Sequence, residues 1–171
     1  MSGRTRNVNG RTYVILGGWI WSNIERLFAE AEAAEQRGDG RTVMMLMEQL
    51  WLVGPGRKAT QVDPVYLERA RQLLTQAFRP LNGAKSQDGE WSAVDRLGQL
   101  TIPVLLIAGG QDVPDIVGAA RFMADRLPLV RFEMIEDAAH LPNMERPDQF
   151  DGILGDWLVT IGAAKLSGSE A

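Results

Sequence analysis

The sequence predicts an α/β protein: three helices, then a βαβα unit whose strands run parallel. Three observations carry that reading. An unbroken apolar run, Val104-Leu105-Leu106-Ile107-Ala108, lies between Pro103 and Gly109-Gly110, the pattern of a strand buried on both faces. A helical stripe of Val117, Ala120, Ala124 and Leu127 follows it. A second stretch, residues 130–135, then alternates Val130, Phe132 and Met134 with Arg131 and Glu133, as a strand nearer a sheet edge does. Strand, helix and strand at this spacing make a crossover, and such crossovers are nearly always right-handed with the two strands parallel.

The elements follow in order. Residues 1–16 read as a solvated arm, with Arg4, Arg6 and Arg11 among polar neighbours, closed by a short strand at Tyr13-Val14-Ile15-Leu16 that Gly17-Gly18 ends. Residues 17–92 read as a helical region and a linker. Its first helix places Ile24, Leu27, Phe28 and Ala31 on one face, with Ser22 and Glu25 at capping-box spacing and Gly38 as the stop. A second aligns Val43, Met47, Leu50 and Trp51 and is closed by Gly54-Pro55-Gly56. A third opens at Asp63-Pro64, a cap residue and a first-turn proline, and runs towards Pro80. The stretch 81–92, rich in Asn, Gly, Ser and charge, reads as the linker. Residues 93–162 form the core unit: the helix between the strands is capped by Asp115 and ends at Pro128. After a loop over 136–146, Pro147 opens a last helix with Phe150, Ile153, Leu154, Trp157, Leu158 and Ile161 on one face. Residues 163–171 are a polar tail, and there is no internal repeat.

The 171 residues include no cysteine and one histidine, so thiol catalysis, iron–sulfur clusters, and zinc sites built on cysteines or several histidines are excluded. No phosphate-binding glycine loop is present and no cofactor is implied, since Gly109-Gly110 has neither the Walker nor the dinucleotide spacing. With 18 basic against 22 acidic side chains there is no basic surface for a phosphate backbone, so nucleic acid is disfavoured as a partner. The apolar stretch 13–21 is too short for a bilayer and lacks a cleavage site, which predicts a cytoplasmic chain without a membrane anchor.

Parallel strands put their carboxyl ends on one edge of a sheet, where ligands of open α/β folds collect. Asp112 lies four residues past Ala108, and His140 lies five past Ile135. On adjacent strands both would project from loops at one edge, as the carboxylate–imidazole pair of a general base. On spacing alone, an Asp112 that caps a turn and a His140 that is a satisfied loop histidine fit as well. Ser22 is the nearest spare nucleophile, though capping accounts for it. Met44, Met45 and Met47 with Trp51 suit either an adaptable pocket or core. Glu145, beside Pro147, reads as a solvated or helix-start carboxylate.

Residues 103–114, PVLLIAGGQDVP, with residues 137–147, DAAHLPNMERP, and the closing helix of Phe150 to Leu158 resemble the last two strands of the α/β-hydrolase superfamily. Leu16-Gly17-Gly18-Trp19 to Trp21-Ser22, and Gly38-Asp39 leading to Trp51 and Gly54-Pro55-Gly56, are similar to the helical cap of its esterase and lactonase-like members. The resemblance implies a partial α/β-hydrolase fold in which Asp112 is the triad acid and His140 the triad base. It also implies a small ester or lactone-like substrate. One departure is large. The family carries its nucleophile in G-x-S-x-G ahead of the acid and the histidine, and none of Ser2, Ser22, Ser86, Ser92, Ser167 and Ser169 sits in such a turn. The absent segment could equally carry an aspartate nucleophile, as in dehalogenase and epoxide-hydrolase relatives. Three roles follow: an acid-and-base portion of a hydrolase, inactive alone; a non-catalytic remnant or small-molecule binding module; or half of a split enzyme. An open sheet edge would invite self-association or a complementary chain.

Overall fold

The computed structural model describes residues 4–8, 11–15, 21–77 and 93–167. Strands β1 (Arg4–Val8) and β2 (Arg11–Ile15) pair antiparallel, Arg4 opposite Ile15 and Val8 opposite Arg11. The stretch read as an aperiodic arm is thus a hairpin, and the strand expected at Tyr13 to Leu16 overlaps β2, which begins at Arg11. Asn9-Gly10 between the strands is the dipeptide most favoured in two-residue hairpins, and Thr, Tyr, Val and Ile around it favour extended backbone. Leu16, Gly17, Gly18 and the linker 81–92 lie outside the described residues.

Three helices follow. Helix α1 (Trp21–Gln36) starts one residue before Ser22, which thus falls inside the first turn and not at the cap. It buries Ile24, Leu27, Ala31 and Ala34 on the face that the periodicity predicts, and leaves Phe28 41% exposed. Helix α2 (Gly40–Met47) is capped by Asp39, whose carboxylate accepts the Thr42 N–H at 3.1 Å and the Thr42 hydroxyl at 2.6 Å. The chain then continues as a π-helical segment, Glu48–Val53, before Gly54 stops it. Helix α3 (Pro64–Ala77) starts where Asp63-Pro64 predicts, the Asp63 carboxylate accepting the Val65 N–H at 2.7 Å.

A short 3-10 turn, Ala93–Gln99, leads into the core unit. Strands β3 (Val104–Gly109) and β4 (Val130–Ile135) are parallel, Val104 opposite Val130 and Gly109 opposite Ile135. Helix α4 (Pro114–Ala124) makes the crossover. Its N-cap is Val113, so Asp115 lies in the first turn and is not the cap. The loop expected over 136–146 holds one helical turn, α5 (Pro142–Glu145), and α6 (Pro147–Ser167) runs four residues past the start of the expected polar tail. On α6, Leu158 is half-exposed while Phe150, Ile153, Leu154, Trp157 and Ile161 are partly covered.

Full burial of the central strand on both faces is not observed. Val104 to Ile107 are only partly covered, and burial is complete only at Ala108 and Gly109. Among the described residues the sheet has two strands, so each has one unpaired edge. No helix among the described residues is long and apolar enough to cross a membrane.

Two apolar clusters join the helical region to the core unit. Ile24, Leu27, Ala31, Leu46 and Leu50 enclose Val113, which comes from the loop after β3. Leu52, Val53, Val62, Tyr66, Leu67 and Ala70 take in Leu141 and Met144 from beyond β4. Trp51 packs against both. Gly54 makes the closest approach: its φ is +89°, and a Cβ there would collide with the Gln111 carbonyl. Gly54→Ala is expected to cost about 2 kcal/mol or more in denaturant unfolding. Gly56→Ala, with nothing within 4 Å of the added carbon, should stay within about 0.5 kcal/mol. Equal losses at the two positions would show that this contact is not tight.

Candidate active site

The two loops leaving the carboxyl edge of the sheet are stitched together before either reaches its functional side chain. The Gly110 N–H donates to the Ile135 carbonyl at 2.9 Å and the Gln111 N–H to the Ala138 carbonyl at 2.9 Å. Gln111 Nε2 donates to the Glu136 carbonyl at 2.9 Å. Backbones this close leave no room for side chains at the crossing. A Cβ on Gly109 would collide with the Ala138 and Ala139 carbonyls, and one on Gly110 would lie 2.8 Å from the Glu136 Cα. Gly109-Gly110 is thus a close-approach element as well as the end of a strand.

The next residue in one loop is Asp112, and the other loop delivers His140. His140 Nδ1 lies 2.8 Å from Asp112 Oδ2. A carboxylate only accepts, so Nδ1–H is the donor and Nε2 is left with a free lone pair. Asp112 Oδ1 accepts the Val113 N–H at 2.7 Å, which holds the carboxylate from its other side. The Asp112 side chain is 3% exposed and that of His140 40% exposed, so the acid is sealed and the base faces outward. The Asp112 hydrogen bond raises the imidazole pKa above its usual 6.5, against partial burial, which acts the other way. In this geometry Asp112 orients the ring and stabilises its protonated form, and Nε2 is the atom able to take a proton.

The helical region completes the surroundings. The Trp51 ring centroid lies 4.7 Å from that of His140 at 54°, and the Trp51 carbonyl accepts the His140 N–H at 3.3 Å. Phe28 packs edge-on against Trp51 at 6.2 Å. The Met cluster divides: Met47 packs with Trp51 against the core, while Met44 and Met45 line a shallow cleft with Arg41, Glu48 and Arg71. A second cleft, of about 500 Å³, adjoins Asp112 between Pro55-Gly56 and the α4 face of Val117, Arg121 and Phe122. Among the described residues no three His, Asp or Glu side chains gather as metal ligands. The side chain of Ser22 lies outside those described.

Glu145 is not solvated. Its side chain has no exposed surface and forms a two-pronged ion pair with Arg57, at 2.7 and 3.2 Å. The charged neighbour that explains its burial lies 88 residues away, so no local sequence signal could reveal it.

Parts of the chain are similar to known proteins. No family model matches the sequence. A stretch of 67 residues, 39% of the chain, is 34% identical to 25% of 3-oxoadipate enol-lactonase 1 of Acinetobacter baylyi. Over 66 residues the chain is 32% identical to 22% of the proline iminopeptidase of Lactobacillus delbrueckii subsp. lactis. The fold superposes, with a TM-score of 0.56 and 25% identity over 74% of the chain, on half of a solved N-acyl homoserine lactone degrading enzyme. Over the part it covers, the chain is an α/β-hydrolase superfamily member. It spans about half of the solved relative, and its matched stretch about a quarter of each curated one. As a partial α/β-hydrolase fold, the two-stranded parallel unit is the part that leads to Asp112 and His140.

Because the folded pKa of His140 is raised, its protonation favours the folded state. The stabilisation is fully present below about pH 6.5, the unfolded value, and is lost as pH rises through the folded one. With the ring partly exposed, the effect is modest. The Tm advantage of the wild type over Asp112→Asn should therefore shrink between about pH 6 and pH 9. A constant difference would show that the pair does not couple protonation to folding.

Proposed function

We propose that the chain is the acid-and-base portion of an α/β-hydrolase acting on carboxylic esters or lactones, with Asp112 as the orienting acid and His140 as the general base. The carrying observation is the 2.8 Å contact from Nδ1 to a sealed carboxylate, in an imidazole that is 40% exposed and whose Nε2 has no hydrogen-bond partner among the described residues. The lactonase names of two relatives support the substrate class. The nucleophile belongs to a segment outside residues 1–171, which pairs along the edge of β3 that is unpaired among the described residues. A base without a nucleophile hydrolyses little, because triad members act as a unit.

The cleft beside Asp112 favours a second reading, a binding module for small apolar molecules. Such a module would gain thermal stability from its ligand without turning it over.

The isolated chain is expected to cleave a small aryl ester or lactone at the background rate, with no change in His140→Ala. Complemented by a polypeptide bearing a G-x-S-x-G turn, it should gain activity that His140→Ala lowers by about 10³-fold or more. Complemented activity indifferent to His140→Ala would refute the assignment. Activity of the chain alone that vanishes in that variant would mean the chain holds its own nucleophile, Ser22 being the first suspect.

A further inference from the structure

The base and its acid leave a buried ion pair among the described residues unexplained. Glu145 has no exposed side-chain surface and Arg57 has 10%. Arg57 Nε donates to the Val53 carbonyl at 2.7 Å, and Nη1 donates to the Asp137 carbonyl at 2.9 Å as well as to Glu145. Glu145 Oε2 accepts the Ala139 N–H at 2.7 Å. The pair thus grips the backbone three residues and one residue before His140, and ties both points to the turn that follows Trp51.

Stability alone does not call for charges here. Removing two ions from water costs several kcal/mol each before their attraction offsets it, and apolar side chains of similar volume often do as well. What apolar side chains cannot supply is direction. The guanidinium fork and the carboxylate fix an N–H and a carbonyl in the loop that carries the imidazole, and a ring displaced by an ångström would lose its bond to Asp112.

We propose that Arg57 and Glu145 are positioning residues for His140, holding its loop against the helical region so that Nδ1 meets Asp112 and Nε2 faces the reacting side. This rests on the reading of His140 as the base. The groups around the imidazole are Asp112 from the loop after β3, Trp51 from the π-helical segment, and Arg57 with Glu145 behind its backbone. Asp137, paired with Arg146 at 2.6 Å, lies at the start of the loop, and the Tyr66 hydroxyl is turned away to the Leu52 carbonyl at 3.2 Å.

His140 is the only histidine, so one imidazole signal in an NMR titration of the full chain reports it without assignment. The double variant Arg57→Met/Glu145→Leu removes equal and opposite charges together, so the net charge near His140 is unchanged and no unpaired ion is left to prevent folding. Its His140 midpoint should fall at least halfway to that of Asp112→Asn. Arg57→Lys keeps the charge but loses the fork, and should move the midpoint the same way by less. If the double variant does not fold, Arg57→Lys decides: a midpoint below the wild-type value supports the proposal and an unchanged one overturns it. A folded variant whose Tm changes but whose midpoint stays at the wild-type value overturns the proposal, since the pair would then only hold the fold. The midpoint is read without turnover, so a failure to hydrolyse esters after complementation would count against the proposed function and not against this inference.

Discussion

The parallel register of β3 with β4 is the constraint on which the site depends. It sets Gly109 against Ile135, so two loops leave the sheet side by side, and backbone bonds from Gly110 and Gln111 carry that neighbourhood three residues further. Only glycine fits at the crossing, where any Cβ would strike carbonyls of the other loop. Asp112 and His140 are 28 positions apart in sequence, yet each needs only a short, tethered excursion to reach the other. In such a frame the orientation of the imidazole is set by backbone geometry.

The helical region belongs to the same construction. Trp51 and Gly54 touch the two loops from the other side, one by a tilted ring contact with the imidazole and the other by backbone contact with Gln111. The π-helical segment gives Trp51 its place, a local departure that sequence periodicity does not reveal and that recurs at functional sites. The joint is also apolar: Val113 sits in one helical cluster, and Leu141 and Met144 border the other. A movement of the stretch from Trp51 to Arg57 would therefore disturb His140 itself.

What the sequence shows well is what depends on near neighbours. The βαβ unit, the one-edge placement of Asp112 and His140, and the start of α3 at Asp63-Pro64 all follow from periodicity, spacing and cap chemistry. What it hides depends on distant partners. Glu145 looks solvated beside Pro147 because Arg57 is far away in the chain, and the apolar run of β3 looks doubly buried because its composition says nothing of how many layers cover it. Strand β1 and its pairing with β2 escape a reading that weighs arginines above the Asn9-Gly10 signal.

The most direct test of this account is the proton shared by His140 and Asp112. At a pH where the imidazole is charged, a hydrogen bond of 2.8 Å to a sealed carboxylate should give one strongly deshielded Nδ1–H resonance, protected from solvent exchange and absent from Asp112→Asn. An imidazole whose Nδ1 proton exchanges freely and has an ordinary shift, alike in wild type and variant, would mean that the two loops do not bring the acid to the base.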